Sequence, residues 1–140
     1  MSDISILVSS RNGNTKRVAD AMAEELGVKS GDVKTSSLDD SKIVFLGSGT
    51  YGSKPGKDMM KFIDYNEFNG RRVALFGTSW SPTGSQKMLK VMELALKQKG
   101  ATILGSYHCP GKFVLFNMDR PNKEDLDNAK TFAKEMTKSS

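Results

Sequence analysis

The stretch "ISILVSSRNGNTKRVADAMAEELG", Ile4 to Gly27, decides the fold. Ile4–Val8 is continuous rather than alternating, the pattern of a strand buried on both faces. Val18, Met22 and Leu26 fall at i, i+4 and i+8, so a helix from Asn14 to Leu26 carries one apolar stripe. Gly27 stands where a helix C-cap glycine belongs. Between strand and helix lies "SSRNGNT", Ser9–Thr15, seven small or polar residues with one cation. A strand–loop–helix unit is the start of an α/β layer structure.

The rest of the chain repeats that alternation. A weak, polar edge strand is expected near Val33–Thr35, and a clear strand at Lys42–Gly47. After the loop "SGTYGSKPG" comes a short helix with Met59, Phe62 and Ile63 on one face. Arg72–Gly77 is a further buried run, closed by "TSWSPTGS". A helix over about Gln86–Lys99 aligns Met88, Met92 and Leu96 and ends at Gly100. Ala101–His108 makes a fifth strand. The last helix opens at Asn122 as N-cap, with Glu124 and Asp125 at its positive end and Leu126, Ala129, Ala133 and Met136 inward. Five apolar strands alternating with four helices predict a parallel sheet covered on both sides, with right-handed crossovers. No repeat, linker or low-complexity tract divides residues 1–140, so one three-layer domain is expected.

At 140 residues the chain is the size of one ordinary domain, and its 37% hydrophobic and 26% charged fractions are those of a soluble globular protein. The N-terminus lacks a basic leader, and no stretch nears the roughly 20 apolar residues of a spanning helix. A single cysteine, Cys109, forms no internal disulfide. These features lead to an expectation of a cytoplasmic protein without membrane insertion. The net charge of +5 favours acidic partners. The lysines are spread along the chain and interleave with acids, as in "EDLDNAKTFAKEM", which argues against nucleic acid as the partner.

In open α/β sheets ligands sit outside the carboxyl ends of the strands, where strand order reverses. The loops there, "SSRNGNT", "SGTYGS" and "TSWSPTGS", are dense in Gly, Ser and Thr. The first leads straight into a helix, whose opening N–H groups and dipole favour an anion. Ser9, Ser10, Asn12, Asn14 and Thr15 add donors, and Gly13 lets the backbone curl close to a ligand. One capping residue would satisfy the helix start, so this surplus points to a phosphate. Neither G-x-x-x-x-G-K-[ST] nor G-x-G-x-x-G occurs, which speaks against a nucleotide-hydrolysing loop and a dinucleotide fingerprint. The loop has no cysteine nucleophile, and no paired acids follow the first strand. Tyr51 and Trp80, each among small residues, are placed to sandwich a flat ring. A phosphate plus a flat ring is a mononucleotide-like ligand. His108 and Cys109 lack the further ligands that a metal site needs and read as structural.

"SRNGNT", Ser10–Thr15, resembles the phosphate loop of the flavodoxins: hydroxyl residue, any residue, Thr, Gly, Asn, Thr, with Asn12 where threonine is usual. "FLGSGTYG" is similar to their second flavin loop and "FGTSW" to their third. The tail "HCPGKF…DRPNKEDLDNAKTFAKEM" extends the resemblance over essentially the whole chain. It implies a short-chain flavodoxin-like fold with strand order 2-1-3-4-5 and non-covalent FMN. The phosphate would lie on Ser10, Asn12, Gly13, Asn14 and Thr15, with Arg11 a bystander or weak electrostatic aid. The second loop would contribute Ser48, Gly49, Thr50, Tyr51 and Gly52, and a peptide at Thr50–Gly52 that turns over when flavin N5 gains a proton. Tyr51 and Trp80 would stack on the ring, while backbone at Thr78, Ser79, Trp80 and Ser81 meets its pyrimidine edge. With no cation assigned there, a low-potential reductant is implied.

The function so implied is a monomeric electron carrier between redox proteins. Unlike the commonly acidic flavodoxins, this chain is basic, so Lys54, Lys57 and Lys61 would face an acidic partner such as a ferredoxin or a reductase. Three other readings are an FMN-dependent quinone-type reductase, an activator flavoprotein for a radical enzyme, and a non-redox module for a phosphorylated ligand.

Overall fold

The computed structural model describes residues 3–111 and 119–138. Five strands, β1 Ile4–Ser9, β2 Ser30–Asp32, β3 Ile43–Gly49, β4 Arg72–Ser79 and β5 Thr102–Pro110, form one parallel sheet in the order β2-β1-β3-β4-β5. The helices are α1 Asn14–Leu26, α2 Lys57–Tyr65, α3 Pro82–Gln98 and α4 Lys123–Lys138. The expected fold class and strand order are the observed ones.

Alternate side chains of the central strands feed two separate cores. Ile6, Val8, Phe45, Ala74 and Phe76 meet Val18 and Met22 of α1 and Ala129 and Ala133 of α4. Leu7, Val44, Leu46, Val73 and Leu75 meet Met59 and Ile63 of α2 and Met88, Met92 and Leu96 of α3. Every residue of β3 is buried, which is why its sequence shows no polar alternation. The far end of α2 is tied to the neighbouring helix, for Lys99 Nζ donates to the carbonyls of Ile63, Asp64 and Asn66 at 2.9, 2.6 and 2.5 Å.

Several boundaries differ from the sequence reading. The edge strand is Ser30–Asp32, pairing Ile6–Val8, and not Val33–Thr35. Val33 is apolar because its side chain enters the α2–α3 core, while its N–H still reaches the Val8 carbonyl at 3.1 Å. The third helix starts at Pro82, four residues before Gln86. Ser81 caps it, accepting from Gly84 N–H, and Pro82 suits the first turn. The small residues Thr83, Gly84 and Ser85 conceal that first turn in the sequence. Strands β3, β4 and β5 also run two residues further at their carboxyl ends, to Gly49, Ser79 and Pro110. Of the flavodoxin-like tail, Lys112 and Phe113 lie outside the described residues.

The start of α4 is a reciprocal cap. Asp125 N–H donates to Asn122 Oδ1 at 3.0 Å, and Asn122 N–H to Asp125 Oδ2 at 2.9 Å. Arg120 grips the same carboxylate through Nε and Nη2 at 2.5 and 2.7 Å. That guanidinium, helped by the Asn122 N–H, holds the Asp125 carboxyl below its ordinary range despite burial. A lowered folded value means this stabilisation is complete above the ordinary carboxylate range and is lost as pH falls from there through the lowered folded value. Asp125→Ala is therefore expected to cost roughly 2–4 kcal/mol at neutral pH. The deficit should shrink in urea melts repeated towards about pH 3; an undiminished deficit there would show that the charge is not its source.

Candidate functional site

Because β1 pairs β2 on one side and β3 on the other, the loops leaving β1 and β3 diverge and open a crevice at the carboxyl edge. Four loops close around it. The first leaves Ser9, and Ser10 Oγ accepts the Gly13 N–H at 3.1 Å. Gly13 takes φ +86° at the N-cap of α1 and brings no side chain to the cap. The cap residue is thus a glycine with no side-chain cap hydrogen bond of its own, and the Thr15 hydroxyl is engaged by Thr78. The opening turn of α1 therefore faces the cleft with its donors and positive dipole end.

The second loop turns tightly. Tyr51 and Lys54 exchange backbone hydrogen bonds at 2.8 and 3.2 Å, with Gly52 at φ +61° and Ser53 at φ +65° between them. Two successive left-handed residues define a type I′ turn, unstrained for glycine and unfavourable for serine. Thr50 Oγ1 donates to the Thr78 carbonyl at 2.9 Å, and Thr15 and Thr78 share a buried hydroxyl contact at 2.8 Å. These bonds fix the first, second and third loops to one another. Gly111, just past β5, closes the floor and donates its N–H to the Ser79 carbonyl at 3.0 Å.

The resulting cleft of about 220 Å³ is walled by Ser10, Asn12, Asn14, Thr15, Gly49, Thr50, Tyr51, Gly52, Thr78, Ser79, Trp80 and Gly111. No charged side chain is among them. Trp80 is 53% exposed at the rim and so is not folded into the core. Tyr51 is half-buried: its hydroxyl accepts the Arg11 N–H at 3.2 Å, and the Arg11 guanidinium lies 4.0 Å over its ring. Burial pushes the Tyr51 phenol up, against the pull of Arg11.

Four sequence-predicted residues stand outside this wall. Arg11 packs on Tyr51 and is not among the residues of the wall. Gly13 works through its backbone angle. Ser48 is buried, its hydroxyl donating to the Gly49 carbonyl at 2.7 Å and accepting from Gly56 N–H at 2.9 Å. Ser81 caps α3. Gly111 escaped the sequence reading, which took its loops from the first, third and fourth strands. The glycine after the strand-ending Pro110 was the available sign.

The chain matches known proteins along its length. The family model of the flavodoxin domain matches residues 5–138. The chain belongs to the flavodoxin family. An uncharacterised protein of Methanocaldococcus jannaschii is 32% identical over 136 residues, covering 89% of this chain and 91% of that one. A flavodoxin from the domain Archaea superposes with a TM-score of 0.77 at 20% identity, over 97% of this chain and 96% of its own. Flavodoxin 1 from Bacillus cereus does so with 0.74 at 22% identity, over 96% of both chains. At such identities the two structures establish the fold alone.

Beneath the cleft, near the end of β5, Cys109 is buried. Burial first, and then the Asp125 charge, pushes its thiol up to about 12. Its thiolate fraction at pH 8 then falls on the order of 1,000-fold below that of a free thiol. Native protein should therefore resist iodoacetamide at pH 8 and react promptly in denaturant, as read by mass spectrometry. Labelling of the native protein at the free-thiol rate would contradict that burial.

Proposed function

We propose that this cleft binds FMN without a covalent bond and that the chain is a low-potential electron carrier between redox proteins. The observation that carries this reading is a convergence. A helix N-terminus capped only by glycine, with neutral donors around it, opens into the same cleft as two aromatic side chains. The donors suit a phosphate and the aromatics suit a flat ring. When bound, the flavin would supply the capacity to take up and release electrons one or two at a time.

Asn12, the side chains of Ser10 and Asn14, and the first N–H groups of α1 would hold the phosphate. Thr15, with its hydroxyl already engaged by Thr78, anchors that turn to β4. Trp80 and Tyr51 would flank the ring. The cleft is smaller than the roughly 300–1,000 Å³ of most ligand sites. Tyr51, which reaches across to the Arg11 N–H, is the wall that has to swing. Backbone at Thr78–Ser81 would meet the ring's polar edge.

The peptide that turns over is assigned to Gly52–Ser53, one step beyond the stretch the resemblance implied. Reversing it converts the type I′ turn to type II′, keeps Gly52 at positive φ and moves Ser53 to negative φ, relieving its strain. Gly52 then offers its carbonyl oxygen to a proton on the ligand. No carboxylate, imidazole or thiol among the described residues lines the cleft, which favours a carrier over an enzyme with its own substrate. In this reading residues 1–140 form one domain, acting as a monomer in the cytoplasm. No helix of the described residues is long and apolar enough to cross a membrane.

The first test is the visible spectrum of the purified protein before and after incubation with FMN and gel filtration. A retained flavin spectrum near one equivalent is expected, and protein that stays colourless after reconstitution would refute the proposal. Trp80→Ala should then weaken FMN by roughly 1–3 kcal/mol, by analogy with aromatic–base stacking; an unchanged Kd in fluorescence titration would remove Trp80 from the ring. Asn12→Ala should weaken FMN by about 1 kcal/mol, a typical hydrogen-bond loss, and leave riboflavin unchanged. Equal losses for both ligands would place the phosphate elsewhere.

A further inference from the structure

The cleft is not the only concavity of the described residues. A groove of about 560 Å³ lies along α2, sharing only Ser10 with the cleft wall. Its charged lining is Arg11, Lys34, Lys57, Lys61 and Asp58, and its apolar lining includes Tyr65. Lys57, Lys61 and Tyr65 recur at intervals of four, so they stand on one stripe of α2. Tyr65 is 84% exposed, which makes it the most exposed large apolar side chain among the described residues.

The charge here differs from that of the other helices. On α1, α3 and α4 most lysines are paired with acids, as Lys16 is with Asp20, Lys97 with Glu93, Lys123 with Asp127 and Lys130 with Glu24; among the described residues only Lys87 and Lys138 of these helices make no ion pair. Among the described residues Lys57 and Lys61 make no ion pair. Lys34 approaches only Asp58, at 3.9 Å, and that carboxylate already takes Ser9 Oγ at 2.5 Å and the Met59 N–H at 3.0 Å. The unneutralised positive charge of a chain with net charge +5 thus includes a compact group beside one aromatic anchor.

We infer that this groove is the docking surface for a small acidic redox protein. The inference rests on the electron-carrier reading and names the partner's chemistry. Carboxylates of the partner would face Lys34, Lys57 and Lys61, with Tyr65 supplying the desolvated contact that charges alone lack. Lys54, on the far strand of the second-loop turn, does not line the groove. Arg11 closes the groove's upper end with its guanidinium over Tyr51. A partner seated here therefore abuts the outer face of the very side chain that walls the cleft. Nucleic acid is the weaker fit, because a helix of nine residues spans only about 13 Å and so meets few phosphates.

The experiment measures binding of an acidic [2Fe–2S] ferredoxin to the chain as purified, by calorimetry and by amide shifts in NMR. Binding should weaken steeply between about 0.01 M and 0.15 M ionic strength, as the screening length falls from about 30 to 8 Å. The shifts should concentrate on α2 and residues 10–11. Lys57→Glu with Lys61→Glu should weaken binding at low salt by about tenfold or more. The control, Lys29→Glu with Lys87→Glu, makes the same change in net charge and should weaken it less than about twofold. Lys57→Gln with Lys61→Gln serves as the milder variant, and thermal melts confirm folding of each.

Equal losses in the groove and control variants would overturn the proposal, since net charge alone would then be at work. So would absent binding at low salt, shifts confined to another face, or tighter binding of a DNA oligonucleotide of matched charge. FMN uptake is recorded on the same samples. Protein that takes up FMN but ignores the ferredoxin refutes the docking surface alone. Protein that binds ferredoxin at the groove but never takes up FMN supports the surface and refutes the cleft reading.

Discussion

The position of β1 is the constraint on which the rest of the structure depends. It hydrogen-bonds β2 on one side and β3 on the other, so the chain leaves β1 towards β2 and leaves β3 towards β4 in the opposite direction. That reversal forces the first and second loops apart and exposes the start of α1 between them. Gly13 then keeps the helix start open: at φ +86° it completes the turn without supplying a cap. The site is thus a consequence of strand order combined with one residue's missing side chain. The hydroxyls of Thr15, Thr50 and Thr78 convert this gap into a rigid frame by linking three loops through β4.

The same physical logic shows which parts of the chain were readable. The stripe Val18, Met22, Leu26 and the cap Gly27 gave α1 its limits because helix period and cap chemistry are local properties. The inner strands could be read for the same reason, since burial on both faces leaves an apolar run. The edge strand Ser30–Asp32 could not, for a three-residue strand with one neighbour needs no apolar side chains. Val33, its apolar neighbour, belongs to the core beneath and misplaced the strand by three residues. The first turn of α3 was hidden because Pro82, Thr83 and Gly84 are helical only through the cap at Ser81.

Residue types in the site were legible before their roles were. Ser48 and Ser81 have the chemistry of ligand donors, and the sequence alone does not reveal that Gly56 and Gly84 are their partners. Arg11 has the opposite history. The resemblance made it a bystander or weak electrostatic aid to the phosphate, and it did not foretell that the side chain would lie on Tyr51. Long-range pairings of this kind join residues forty positions apart, which no local pattern encodes.

Arg11 also explains how a basic chain can keep a neutral cleft. A guanidinium turned inward would favour a negatively charged ligand ring as well as the phosphate, and so raise the potential of a bound flavin. Held over the outer face of Tyr51, it leaves the cleft to neutral donors and adds its charge to the groove on α2. The cation–π contact, of roughly 0.5–2 kcal/mol, is weak enough to yield to a partner's carboxylate. Tyr51 would then keep only its bond to the Arg11 N–H, on the side from which the partner approaches. One side chain thus borders both the groove and the residue that walls the cleft, so a partner in the groove would bear on that wall.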